Sequence, residues 1–149
     1  MIVNVIDQQT AIVVDPNQVQ KIVRHILFEE NQQYDEVSIF FVDIESICQL
    51  HEQFFQDPSP TDCISFPVHN DPLDSSYKIL GDIFVCPAVA IDYAKQHNLD
   101  PKQETILYII HGLLHLIGYN DEEETDFQKM VAVQNQYLEA ALKLPRREL

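Results

Sequence analysis

The sequence predicts an α/β fold of the α+β kind, a small mixed β-sheet of about four strands packed by about five helices. Three observations predict it. Short apolar runs suited to strands alternate along the chain with longer runs of helical period. The pairs Asp15-Pro16 and Asp100-Pro101 each stand before an apolar helical stripe, with Asp placed to cap and Pro at the first helical position. The 149 residues are 46% apolar and 22% charged, enough for one ordinary core and the size of one domain over residues 1–149.

Taken in order, Ile2 to Ile6 and Ala11 to Val14 read as a first short strand pair. Asp15, with Gln18 in the capping-box position, opens a helix whose stripe is Val19, Ile22, Val23, Ile26 and Leu27. Glu36 to Val42 is a strand, with Val37, Ile39 and Phe41 alternating against Ser38 and Phe40. Asp43 caps a second helix that runs to about Phe55. Strands at Thr61 to Val68 and Ile79 to Cys86 flank a loop from roughly Pro67 to Lys78, rich in Asp, Ser and Pro. Pro87 opens a third helix through about Gln96, and Asp100 caps a fourth that ends at Gly118, a left-handed C′ residue. A last helix spans about Glu123 to Leu142, and Pro145 to Leu149 is expected to fray. The three glycines all lie in the second half, and there is no repeat or Ser/Gly linker, so no internal boundary is expected.

The formal net charge is −15, which argues against a nucleic-acid binder with the usual basic stripe and favours solubility, a divalent cation or a basic partner. No apolar run approaches the ~20 residues of a membrane helix. The N-terminus carries no basic, export-type leader, and Cys48, Cys63 and Cys86 are scattered and odd in number. A cytoplasmic protein with reduced cysteines is expected.

The fourth helix carries the strongest chemical signal. His111 and His115 are four residues apart, so they share one face about 40° apart. Ile106, Ile109, Ile110, Leu113, Leu114 and Ile117 apolarise most of the remaining circumference, so this is a central, buried helix. Two imidazoles on its one polar strip need partners, and a divalent metal, zinc first, satisfies both at the end of the helix. Gly118 then reverses the chain so that Asp121 can return as a third ligand. The H-x3-H-x5-D spacing resembles the metzincin protease layout, but Gly112 stands where a protease keeps its general-base Glu, which counts against a peptidase. A pair of satisfied core histidines is the competing reading. Glu122 to Asp126 read as carboxylates at a helix N-terminus. Glu104 shares the face of His111 two turns earlier and is the cheapest acid/base candidate, although a solvated first-turn acid is the plainer reading. His25, His51, His69 and His97 stand singly, and Cys63 and Cys86 read as core packing.

The motif HGLLHLIGYND from His111 to Asp121 resembles the signature of the YbeY endoribonucleases, H-G-x-L-H-L-x-G-Y-D-H. PTDCISFP from Pro60 to Pro67 is similar to that family's P-T-D-V-L-S-F-P, and LGDIFVCPAVA from Leu80 to Ala90 to its L-G-D-I-x-I segment. The resemblance covers roughly Leu50 to Met130. It implies a zinc-type metal held by three histidines, one ion per chain, with other divalent transition metals as alternatives. It also implies a single-strand-specific endoribonuclease that acts in 3′-end maturation of 16S rRNA and in ribosome biogenesis and quality control, with rRNA and the small subunit or its proteins as partners.

Two departures matter. The family's third histidine falls on Asp121, which still offers a hard oxygen. The family's substrate-contacting arginine falls on Phe55, and a neighbouring asparagine on His51, so the bidentate phosphate clamp is missing. The site expected on this basis is His111, His115 and Asp121 on the metal, with Thr61, Ser65, Phe66 and His51 along the substrate groove. Two other functions remain open: an assembly factor with weak or lost catalysis and a structural metal, and a small-molecule metallohydrolase.

Overall fold

The computed structural model describes residues 1–70 and 76–144. In chain order the elements are β1 (Ile2–Gln8), α1 (Pro16–Glu29), β2 (Glu36–Val42), α2 (Ile44–Phe55), β3 (Cys63–Pro67), β4 (Ile79–Val85), α3 (Pro87–His97), α4 (Pro101–Leu116) and α5 (Glu124–Lys143). The four strands form one mixed sheet in the order β1-β2-β4-β3. β1, β2 and β4 run parallel, and β3 lies antiparallel on β4 at the edge.

The helix starts follow from local chemistry. The Asp15 carboxylate accepts from the N–H groups of Asn17 and Gln18, that of Asp43 from Ser46, and that of Asp100 from Lys102. Each such cap contributes about 1 kcal/mol, and Pro16 and Pro101 fit the first turn, where no N–H is needed.

One expected strand is absent. Ala11 to Val14 is not a strand and does not pair with β1. The Gln9 side chain donates to the Ile12 carbonyl at 3.0 Å and accepts from the Ile12 N–H at 3.1 Å. That side chain uses the backbone groups a hairpin ladder would need, so the segment turns and hands the chain to α1. β1 pairs instead with β2, and α1 supplies the crossover that a parallel pair requires. The tail from Pro145 to Leu149 and residues 71–75 of the long loop lie outside the described residues.

The side-chain alternation of the strands sends Val37, Ile39, Phe41, Ile83 and Val85 to one face, all fully buried. They pack with Ile22, Val23 and Ile26 of α1 and with Ile109, Ile110, Leu113 and Leu114 of α4 into the main core. On the opposite face Ile47 of α2 gathers Val42, Ile64 and Cys86 into a second cluster, with Phe40, Phe66 and Phe84 beside it. α4 touches β3, β4, α1, α3 and α5, so it is the central helix, and its C-terminal turn comes out beside the β3 edge.

Candidate metal centre

Gly112 brings the histidine turn of α4 close to the sheet. A Cβ there would sit 2.7 Å from Ile83 Cγ2 and 3.2 Å from Ser65 Oγ, and the Ser65 hydroxyl donates to the Gly112 carbonyl at 2.8 Å. Only glycine admits that approach, which sets His111 and His115 against β3. The helix then stops in a Schellman motif. The Tyr119 N–H donates to the Leu114 carbonyl at 3.0 Å and the Gly118 N–H to that of His115 at 3.1 Å, with Gly118 at φ +108°. This reversal returns Asp121 to the two rings.

The Asp121 Oδ2 lies 3.4 Å from His115 Nε2 and 3.9 Å from His111 Nε2, and the two Nε2 atoms are 3.0 Å apart. A point equidistant from three such donors is about 2.0 Å from each, the length of a Zn–N or Zn–O bond. The protonation pattern points the same way. His111 Nδ1 lies 2.9 Å from Gln134 Oε1 and His115 Nδ1 lies 3.1 Å from the Tyr119 main-chain oxygen. Both partners accept, so each neutral ring carries its proton on Nδ1, and two Nε2 lone pairs face each other with a carboxylate beside them. Lone pairs at that separation repel unless a cation joins them. The donor set therefore fits a divalent ion, and the group His111, His115 and Asp121 can hold one.

The site is open. The side chains of His111, His115 and Asp121 are 26%, 30% and 39% exposed, unlike the closed shell of a structural zinc. Both histidines line a cleft of about 390 Å³ whose other walls include His51, Phe55, Thr61, Cys63, Ser65 and Leu116. No lysine or arginine lines it among the described residues. A smaller cavity of about 220 Å³, between Val14, Phe41 and Ile109, holds no histidine.

Of the groove residues expected from the sequence, His51, Thr61 and Ser65 line this cleft. His51 Nδ1 donates to the Ser59 carbonyl at 2.8 Å, and its Nε2 lies 3.9 Å from Asp57 Oδ2. Phe66 does not join them. Neighbours on a strand face opposite ways, and Phe66 packs on the other side of the sheet, edge-on to Phe54 at 4.8 Å and to Phe84 at 5.7 Å. Glu104 is not a solvated acid. It is 9% exposed beneath α3 and away from the cleft wall, and burial raises its pKa.

Three contributors escaped the sequence reading. Gln134 reaches His111 from α5, the Tyr119 carbonyl comes from the turn itself, and Cys63, packed against the core as expected, also lines the cleft. The signals were faint: Gln134 is one polar residue in a mixed helix, and Cys63 shows only as the residue that departs from valine in the PTD block. One donor atom each of Asp62, Cys63 and His111 also lie within 4.8 Å of one another. Desolvation pushes the Cys63 thiol far up, helped by the charges of Asp62 and Asp121, so it stays protonated.

The profile of the family described as Endoribonuclease YbeY matches residues 4–142. An Endoribonuclease YbeY of Protochlamydia amoebophila is 47% identical over 144 residues, covering 97% of this chain and 95% of that protein. One from Chlamydia caviae is 38% identical over 122 residues, covering 80% and 77%. A solution structure of a Thermotoga maritima protein superposes with a TM-score of 0.66 at 25% identity, covering 94% of this chain and 89% of that one.

Proposed function

Since this chain belongs to the Endoribonuclease YbeY family, we propose that it is a metal-dependent endoribonuclease, one metallohydrolase domain that cleaves single-stranded RNA and acts in maturing the 3′ end of small-subunit rRNA in the cytoplasm. The observation that supports this best is the convergence of His111 Nε2, His115 Nε2 and Asp121 Oδ2 on the wall of an open cleft. These three would hold one ion per chain, zinc in our reading, which when bound supplies Lewis acidity toward water and toward a scissile phosphate.

The other steps belong to the chain. Gln134 and the Tyr119 carbonyl hold both imidazoles in the tautomer that presents Nε2. His51, its Nδ1 bonded to the Ser59 carbonyl, is the imidazole of the cleft wall outside the metal set and would be the group there that moves a proton, since Cys63 is held as a thiol. The Ser65 hydroxyl is already donated to Gly112, so toward substrate it can only accept. Pro67 and Leu116 give the cleft apolar walls that limit water around the reacting phosphate.

The lack of lysine and arginine among the described residues of the wall favours a second reading, a ribosome assembly factor whose metal is structural. The open donor set favours the enzyme. The discriminating experiment offers untagged protein one RNA sequence as a single strand and as a duplex. Cleavage of the single strand alone is the expected result; an intact single strand in the presence of bound metal contradicts the enzyme and leaves the assembly factor.

A further inference from the structure

A polyanionic substrate has to be gripped in a cleft that has no lysine or arginine among the described residues, on a chain of net charge −15. Phosphate attraction cannot supply much of the grip. What the rim does offer is an aromatic ring. Phe55, on the last turn of α2, lines the same cleft as His111 and His115 and is 54% exposed. Its only described ring neighbour is His51, tilted at 57° with centroids 5.8 Å apart, a contact that steadies the ring without stacking over it.

The rim is held from behind. Phe54 packs edge-on to Phe66, Phe66 edge-on to Phe84, and Phe84 stacks on Phe40 at 4.5 Å, so the end of α2 is anchored across the outer face of the sheet. Past the helix, Gln56 takes a left-handed φ of +56°, and the Asp57 carboxylate accepts from the Ser59 N–H and hydroxyl. The ring is thus presented on a braced turn with its hydrophobic cost left unrelieved.

We propose that Phe55 is a nucleobase-stacking site, on which an unpaired base of the RNA lies while its phosphodiester reaches the His111–His115–Asp121 centre. This rests on the endoribonuclease reading and adds the source of its strand selectivity. Every base has a π face, so stacking holds RNA without sequence preference. In a duplex those faces are covered by neighbouring pairs, and Phe55 has nothing to stack on.

The test is equilibrium binding of a short unstructured RNA to the metal-loaded protein, over a salt series, together with KM and kcat for its cleavage. Phe55→Ala is expected to weaken binding by about 5- to 150-fold, the range for loss of one base-stacking contact. KM should rise with little change in kcat, metal content or salt slope. Phe55→Tyr should bind like wild type, and Phe55→Leu, apolar but without a π face, should bind like Phe55→Ala. Wild-type affinity in Phe55→Leu would show a merely apolar contact and overturn the proposal. So would tight wild-type binding indifferent to Phe55→Ala, which leaves the endoribonuclease reading standing. A metal-loaded wild type that neither binds nor cleaves the single strand overturns both.

Discussion

The Tyr119 hydroxyl donates to the Glu30 carboxylate at 2.6 Å, across 89 residues of sequence. The other carboxylate oxygen accepts from the Tyr137 hydroxyl of α5 at 2.5 Å. Glu30 sits just past the end of α1, and Tyr119 lends its main-chain oxygen to His115. One carboxylate therefore ties α1, α5 and the turn that carries Asp121 into a frame around the metal centre.

Glu30→Ala leaves two hydroxyls without their acceptor and loosens that turn. The expected result is a stability loss of about 2 kcal/mol in urea unfolding. Metal affinity should fall by about 10- to 100-fold in a chelator competition, as for other groups that orient ligands. Glu30→Gln, which keeps an acceptor oxygen, should fall between the variant and wild type in both.

The same frame sets an alkaline limit. The Tyr119 hydroxyl is pushed up to about 12 from an ordinary 10.0, first by desolvation and then by its bond to Glu30. Tyr137 is raised for the same reasons. Because the folded value lies above the unfolded one, the contribution is complete below pH 10 and is lost as pH rises through about 12. Thermal unfolding followed across that window should show Tm falling, with a shallower fall in Tyr119→Phe.

His111→Ala and His115→Ala should each abolish metal binding, because two remaining donors rarely hold zinc against buffer. Asp121→His should keep or tighten it, since imidazole on the same turn offers a ligand nitrogen. Isothermal titration with zinc checks both. Loss of the metal in Asp121→His would make Asp121 a turn residue rather than a ligand.

With no lysine or arginine among the described residues of the cleft wall, RNA binding should depend only weakly on salt. Phe55→Arg adds one phosphate contact and should steepen the slope of log affinity against log salt by about 0.7. Filter binding at several salt concentrations measures it.

What the sequence made legible was local. Asp15, Asp43 and Asp100 announce their helices because a cap needs only a carboxylate and the next three N–H groups. The ligand triad was legible because His111, His115 and Asp121 lie within one helix end and its reversal. What stayed hidden depends on distant partners. Ala11 to Val14 has strand-like residues, and only the Gln9 side chain diverts it. Glu104 looks solvated until α3 covers α4, and Gln134 is 23 residues from the ring it orients. Phe66 could be placed on the right strand but not on a face, because the face depends on which neighbour β3 pairs with and what covers it.

The central claim is that the three-donor centre performs the cleavage. Its most direct test is elemental analysis of untagged wild type and His115→Ala, each paired with the rate of cleavage of one unstructured RNA. Wild type should carry close to one transition-metal ion per chain and cut the strand, while His115→Ala should carry none and leave it intact. Equal cleavage by His115→Ala, or full activity of wild type free of metal, would contradict the account.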